Sequence, residues 1–326
     1  MLRAGFVGTG GFAREHALVA KSLGLAVAGC YSTNSEKAAA FSREFGAVIY
    51  GDPREMISRK NIDILYIVVP PFAHDGGVEL AAVKAAVPFL VEKPVGLDLA
   101  VCRKVARAVE RARLVASVGY MLRESPLVAE ARKVIARNRV TSIRACRMAS
   151  FPGVHWWRRM AMSGGPMVEQ TTHLVDLIRY VFGDVTRVAA LTSYGIAPAR
   201  FEGADVYDSM EALMSFQSGA VGSIGLSDTY ENGFSKFELF EAFGEDFYLS
   251  YNMERLRCQE GKSEWVQLPQ PKGLNLLLEE TKRFLAAVEK SAPSAVLSPY
   301  ADGVKTLELT LAMNKSAETG KMVSLA

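Results

Sequence analysis

Residues 2–13 read Leu-Arg-Ala-Gly-Phe-Val-Gly-Thr-Gly-Gly-Phe-Ala, a short apolar run that breaks into glycines and opens a helical pattern. Strand, then G-x-G-x-x-A, then helix is the context that a dinucleotide fingerprint requires. Gly8 permits the tight turn, and Gly10 lets the backbone approach a pyrophosphate. Gly11 and Phe12 open the helix, and Ala13 keeps it close to the strand. The helix N-terminus supplies N–H groups and a positive dipole end for phosphates.

Working outward, short β-rich runs alternate with helical ones over the first 120 residues. The strand candidates are 2–7, 25–30, 47–50, 62–69, 88–92 and 115–119. Helical patterns lie between them at 12–23, 35–45, 74–86 and 99–111, with Asn34 as an N-cap and Gly46 as a stop. This rhythm predicts a parallel, doubly wound sheet. After Gly119 the rhythm changes: a helix at 125–137, a strand at 141–150, an aromatic loop, a polar helix from Pro166, then alternating strands at 188–193, 210–216, 220–228, 237–242 and 246–252. Helices at 274–289 and 299–316 finish the chain. The fold class is therefore α/β, with a dinucleotide-binding domain over 1–121 and an α+β domain over 122–326 carrying a large, mostly antiparallel sheet.

The stretch Gly164–Asp176, GGPMVEQTTHLVD, is read as the start of one long helix with Pro166 in its first turn. Glu169, His173, Asp176 and Tyr180 recur at helical spacing with Thr172 beside them, and apolar residues gather opposite. A carboxylate and an imidazole one turn apart suit proton transfer; the bland alternative is a polar stripe facing water. Glu92-Lys93-Pro94 ends a strand, where open α/β sheets bind ligands. A lysine ammonium beside a positively charged nicotinamide has its pKa pushed down, which suits acid–base work; the alternative is a salt bridge. Pro70-Pro71-Phe72-Ala73-His74 leaves the fourth strand at the same edge, with Pro70 lining a cofactor and His74 starting or capping a helix. Trp156, Trp157 and Arg158 suit stacking on a sugar ring and bonding to its hydroxyls or carboxylates, although tryptophan is also ordinary core.

NAD enzymes usually place an acid roughly 20 residues beyond the glycines, for the ribose 2′-hydroxyl. Here Tyr31-Ser32-Thr33-Asn34 stands instead. Ser32 and Thr33 can donate to a 2′-phosphate and no carboxylate repels it, so NADP is favoured, with NAD possible.

Composition narrows the class. The chain has 326 residues, 49% of them hydrophobic, enough for two cores. Its net charge of +3 demands no nucleic acid. No apolar run reaches the ~18 to 20 residues that cross a membrane, and the start shows no charged leader with an apolar core. Four scattered cysteines, Cys30, Cys102, Cys146 and Cys258, fit reduced thiols in a cytoplasmic protein better than disulfides or a metal site.

With these residues in place, the sequence resembles the Gfo/Idh/MocA oxidoreductases, the family of glucose–fructose oxidoreductase and inositol dehydrogenase. The resemblance rests on GTGGFA, VVPPFAH, the EKP triplet, GYMLRESP from Gly119 and the GG-P…E…H…D helix. It covers nearly the whole chain, and the triplet and helix together are its specific part. It implies a Rossmann domain followed by a domain whose open sheet often forms an oligomer interface, hence a homo-oligomer (dimer or tetramer), and redox chemistry on sugars, polyols and related carbonyls with NAD(P). Lys93 then matches the catalytic lysine, beside a Lys–Pro bond often cis, and His173 the histidine that bonds the reacting hydroxyl. Glu169 stands where Asp is common, and Met121 where an Asn is common among cofactor contacts; Asp176 is implied to be structural. Glu92 and His74 fall with the cofactor, Tyr120, Arg123 and Thr172 with the substrate. Two competing functions are an NAD-dependent glycoside hydrolase and a non-catalytic dinucleotide sensor; Lys93 together with His173 argues against the sensor.

Overall fold

The computed structural model describes residues 1–58, 61–230 and 236–325. The chain divides into two units: Met1–Met121 with Asn275–Lys305, and Leu122–Leu274 with Thr306–Ala326. The stretch Asn275–Lys305 therefore belongs to the first unit, not to the second as the division at 121 implied.

In the first unit, β1 (Arg3–Val7), α1 (Gly11–Ser22), β2 (Ala26–Tyr31), α2 (Ser35–Phe45), β3 (Val48–Ile49), α3 (Pro53–Met56), β4 (Ile64–Ile67), α4 (Gly77–Lys84), β5 (Phe89–Val91), α5 (Leu99–Ala112) and β6 (Ala116–Val118) follow in turn. The six strands lie in the order β3-β2-β1-β4-β5-β6, with every pairing parallel. This is the doubly wound sheet, whose order reverses between β1 and β4. Strands β1, β4, β5 and β6 are buried on both faces, and Ala4, Phe6, Ile64, Tyr66 and Leu90 pack with Ala13, Ala17 and Ala20 of α1. Asn34 caps α2 by accepting from Lys37 N at 2.9 Å, as its sequence position implied. The helix expected from His74 instead begins at Gly77: Pro71–Ala73 form a single 3-10 turn, and His74 follows it.

Register aligns the carboxyl ends of these strands. Val7 pairs with Tyr31 and with Ile67, and Ile67 with Val91. Gly8, Ser32, Val68 and Glu92 are thus the next residues of four adjacent strands, all at the carboxyl edge.

The second unit contains α6 (Pro126–Arg137), β7 (Val140–Ala149), α7 (Met160–Ser163), α8 (Pro166–Glu169), α9 (Thr172–Phe182), β8 (Val185–Ser193), α10 (Ile196–Arg200), β9 (Ser209–Phe216), β10 (Val221–Ser227), β11 (Lys236–Gly244), β12 (Phe247–Asn252), β13 (Arg255–Glu260) and β14 (Val266–Pro269). After α11 (Leu276–Glu289), which lies in the first unit, come α12 (Tyr300–Thr319) and the edge strand β15 (Val323–Ser324). Nine strands run β14-β13-β12-β11-β7-β10-β9-β8-β15, and only β7–β10 is parallel among these pairings. The expected antiparallel sheet is present and larger by β13, β14 and β15. The four cysteines are free, and burial raises the pKa of all four thiols, Cys102 to about 12. Among the described residues no helix is long and apolar enough to cross a membrane.

Gly8 carries the turn after β1. Its φ is +98°, and a Cβ there would lie 1.9 Å from the Val68 carbonyl oxygen. That atom is backbone of the adjacent strand and cannot step aside. Gly8→Ala is expected to lower the melting temperature and to abolish dinucleotide binding, since the φ strain alone costs about 1–3 kcal/mol. Calorimetry with and without cofactor checks this; an alanine variant that melts like the parent refutes the packing argument.

Candidate functional site

The glycine turn fits a dinucleotide. Gly10 is the N-cap of α1 and makes no side-chain cap, so the first helical N–H groups are left to a ligand. Around Gly10 and Gly11 nothing lies within 4 Å of where a Cβ would stand. The buried Thr9 hydroxyl has no protein partner. A phosphate would find open space, free donors and an unspent hydroxyl at one place. Beside it, Ser32 accepts from Asn34 N at 3.2 Å, and Thr33 is exposed, so the end of β2 presents hydroxyls and no acid. Phe12 is 42% exposed at the first turn, its ring edge-on to His16.

The Glu92-Lys93-Pro94 triplet follows β5, and its Lys–Pro bond is cis. Glu92 is buried, with Oε1 2.8 Å from His16 Nε2 and Oε2 accepting from Lys93 N at 3.3 Å. Its carboxylate is therefore committed to the protein, and the sequence-based assignment to the cofactor becomes a supporting role for the backbone of Lys93. His16 is fully buried on α1 and was missed from the sequence. The available signal was a histidine on the apolar face that carries Ala13, Ala17 and Ala20. Lys93 is half-buried. His74, expected among the cofactor contacts, is buried with Nδ1 2.7 Å from Glu79 Oε1, which fixes its ring against α4. Pro70 and Met121 are half-buried and Tyr120 is buried.

In the second unit the expected single helix is interrupted. α8 ends at Glu169, and α9 begins at Thr172. Gln170 N and Thr171 N both donate to Pro166 O, and the ladder restarts with Leu174 N and Val175 N donating to Thr171 O. Glu169 and His173 therefore do not lie one turn apart on a continuous helix. The water-facing reading fails too: Glu169 is 4% exposed, Thr172 0% and Asp176 1%, with His173 half-buried.

Two buried arginines hold this segment. Arg123 donates from Nε to Asp176 Oδ2 at 2.7 Å and from Nη2 to Oδ1 at 2.5 Å, with its guanidinium 4.5 Å from the Tyr180 ring centroid. Thr306 donates to the same carboxylate at 3.0 Å. Arg123 is 3% exposed, so the substrate contact expected of it is replaced by a structural ion pair. Arg147, on the inward face of β7, donates to Asp228 Oδ1 at 2.5 Å and to Gln170 Oε1 at 2.7 Å. Burial pushes the Asp228 carboxyl above the usual carboxylate range, Arg147 opposes this, and the charge of Glu169 adds to it. Arg147, Gln170 and Asp228 were not singled out from the sequence; an arginine alternating with Ile143, Ala145 and Ala149 was the signal. Trp156 and Trp157 are half-buried and packed edge to face, and Arg158 stacks on Phe201. Among the described residues no group of His, Cys, Asp and Glu is arranged to hold a metal ion.

Comparison with known proteins follows the same division. Residues 2–120 match the model of an oxidoreductase family with an NAD-binding Rossmann fold, and residues 128–247 match the GFO/IDH/MocA C-terminal domain. A 1,5-anhydro-D-fructose reductase of Ensifer adhaerens is 28% identical, over all of this chain and 99% of the relative. A myo-inositol 2-dehydrogenase of Thermotoga maritima is 26% identical over 85% of this chain and 84% of the relative. Among solved structures, a levoglucosan dehydrogenase in complex with NADH superposes with TM-score 0.89 at 21% identity, over 100% and 99% of the two chains.

Asp176→Asn is expected to cost stability rather than turnover. It strips the neutralising charge from a buried guanidinium, a loss on the order of 3–5 kcal/mol. Urea melting and kcat on one preparation check this; a loss below about 1 kcal/mol would place the pair with weak surface bridges.

Proposed function

Because the chain belongs to the Gfo/Idh/MocA family of oxidoreductases, we propose that it transfers a hydride between a nicotinamide dinucleotide and a sugar, polyol or related carbonyl compound. The observation that carries this is the carboxyl edge of the parallel sheet. There the open glycine turn follows β1 and Lys93 follows β5, with only β4 between their strands. The carbohydrate class is taken from the relatives, whose names give an anhydrosugar and an inositol.

When bound, the nicotinamide supplies the hydride acceptor or donor. The chain's own groups bind, orient and move the proton. Gly10, Gly11 and the first turn of α1 hold the phosphates, and Ser32 and Thr33 hold the adenosine ribose. Lys93 exchanges the proton of the reacting oxygen, and His173 hydrogen-bonds that oxygen, with Glu169 beside it in sequence. Both roles rest on the family motif and on chemistry: each side chain is half-buried, so bulk water competes only in part for the proton. Thr172, Trp156, Trp157 and Arg158 complete the assignment on the substrate side. We infer a homo-oligomer from the large sheet, where Met148, Leu191, Leu213 and Val221 are exposed while the alternate positions on their strands face the core. Four free, scattered thiols support a cytoplasmic location.

A screen of sugars, inositols and sugar acids for NAD(P) reduction tests the reading. Lys93→Ala and His173→Ala should each keep the melting temperature and cofactor affinity while lowering kcat by roughly 10²-fold or more. Dinucleotide that survives dialysis, together with glycoside cleavage and no net NAD(P) reduction, would replace the reading with a hydrolase.

The cofactor preference is proposed as NADP(H) at least as good as NAD(H), because hydroxyls end β2. Ser32→Asp should shift the ratio towards NAD by about tenfold or more, since a buried-edge carboxylate repels the 2′-phosphate and accepts from a ribose hydroxyl. Titration of both cofactors by fluorescence measures the ratio, and a parent protein that strongly prefers NAD overturns the assignment.

A further inference from the structure

The loop that carries the tryptophans also builds a second feature within the same unit. His155, Arg158, Arg159, Arg200, Phe201, Glu202 and Gly203 line one open pocket. Three guanidiniums face a single lining carboxylate, in a protein whose overall charge is nearly balanced.

Two of the arginines are fixed by neutral acceptors. Arg158 donates Nη1 to the Pro152 carbonyl at 3.3 Å and lies over Phe201, 4.1 Å from its ring centroid. Arg159 donates Nη1 to the Gly203 carbonyl at 2.6 Å. A backbone carbonyl orients a guanidinium without cancelling its charge, and five donors leave several for a ligand. Asp205 Oδ2 stands 3.6 Å from Arg159 Nε, with both side chains well exposed, so it screens rather than saturates the cation. Glycine makes the seat possible. Gly203 has φ +69°, and a Cβ there would lie 2.7 Å from Arg159 Nη1, in the space the guanidinium occupies. Arg200 closes the last turn of α10 and contributes the third cation.

We propose that this pocket binds an anionic substituent, a carboxylate or phosphate carried by the carbohydrate substrate, and so selects sugar acids or sugar phosphates over neutral sugars. The substrate class rests on the oxidoreductase reading above; the pocket itself does not. Planar guanidiniums fixed on one side match the two oxygens of either anion, and each charge-assisted bond adds more than a neutral one. Phe201, which carries Arg158 over its ring, is the one large apolar residue lining the pocket.

Two measurements on the full chain test this. In the first, intrinsic tryptophan fluorescence is followed while potassium phosphate, glucuronate, glucose 6-phosphate or glucose is added at constant ionic strength. The parent is compared with an Arg159→Gln/Arg200→Gln double variant and with Gly203→Ala, melting temperatures confirming the fold. The expected result is saturable binding of at least one anion, weakened about tenfold or more in the double variant and less in Gly203→Ala. Phosphate held at the glycine turn of the other unit is unaffected by these changes, so binding equal in parent and variants overturns the proposal. In the second, kcat/KM is compared for glucose, glucuronate and glucose 6-phosphate with NAD and NADP. The anionic sugar should lead by about tenfold, the lead shrinking between 0.05 and 0.5 M KCl, and the two anions tell carboxylate from phosphate. Neutral sugars turned over with no anion advantage sink the pocket and leave the oxidoreductase standing. Inert sugars with arginine-dependent anion binding do the reverse.

Discussion

The missing side chain of Gly8 is the constraint on which the first unit depends. The turn after β1 passes so close to the Val68 carbonyl that no Cβ fits, and the backbone there needs a positive φ. That closeness lets α1 start at once and lie against β1 through Ala13, Ala17 and Ala20. With α1 docked, its first N–H groups stand at the carboxyl edge of the sheet, where the parallel register also delivers Ser32 and Glu92. His16 closes the arrangement from within. A fully buried imidazole joins α1 to Glu92, and Glu92 accepts from the backbone N–H of Lys93. The helix α1 and the lysine segment are thereby coupled through one carboxylate.

The second unit meets a different problem, that of keeping charged groups in a dry interior. Unpaired charges there cost several kcal/mol, and two of the buried carboxylates around the broken helix, Asp176 and Asp228, have guanidinium partners. Arg123 and Thr306 hold Asp176, while Arg147 holds Asp228 and reaches Gln170 in the break itself. The interruption at Gln170 and Thr171 is thus fixed by a side chain from the sheet. It changes the direction in which His173 leaves the backbone relative to Glu169, which sequence spacing could not anticipate.

The legible parts were those with a period or a turn behind them. The β–glycine–helix unit, the alternating strands to Val118 and the Asn34 cap each have a local cause, and local causes are written in local sequence. The helix from Pro166 misled because the apolar spacing of Leu174, Leu177, Ile178 and Val181 is sound, while the break depends on a bond from Arg147, over twenty residues earlier. Arg123 misled likewise: its sequence neighbours resemble a substrate loop, but its partner Asp176 is 53 residues away. The return of Asn275–Lys305 to the first unit is also non-local, resting on Phe284, Leu285 and Ala287 entering the core of the parallel sheet.

The four histidines show how far residue type goes before structure must decide. His16 and His74 look equally eligible for proton chemistry, and each is buried with one ring nitrogen against a buried glutamate. An imidazole so tied is oriented and withheld from solvent, which suits it to holding Glu92 or α4 in place. His155 is exposed on a pocket rim among arginines, where a proton on the ring would add to an already positive field. His173 alone combines partial access with a dense buried surrounding: Glu169, Thr172 and Asp176 near it in sequence are all shielded from water. The hydrogen bond to a reacting oxygen proposed for His173 needs access for a ligand together with shelter from bulk water, and among these four histidines only His173 combines partial exposure with buried sequence neighbours.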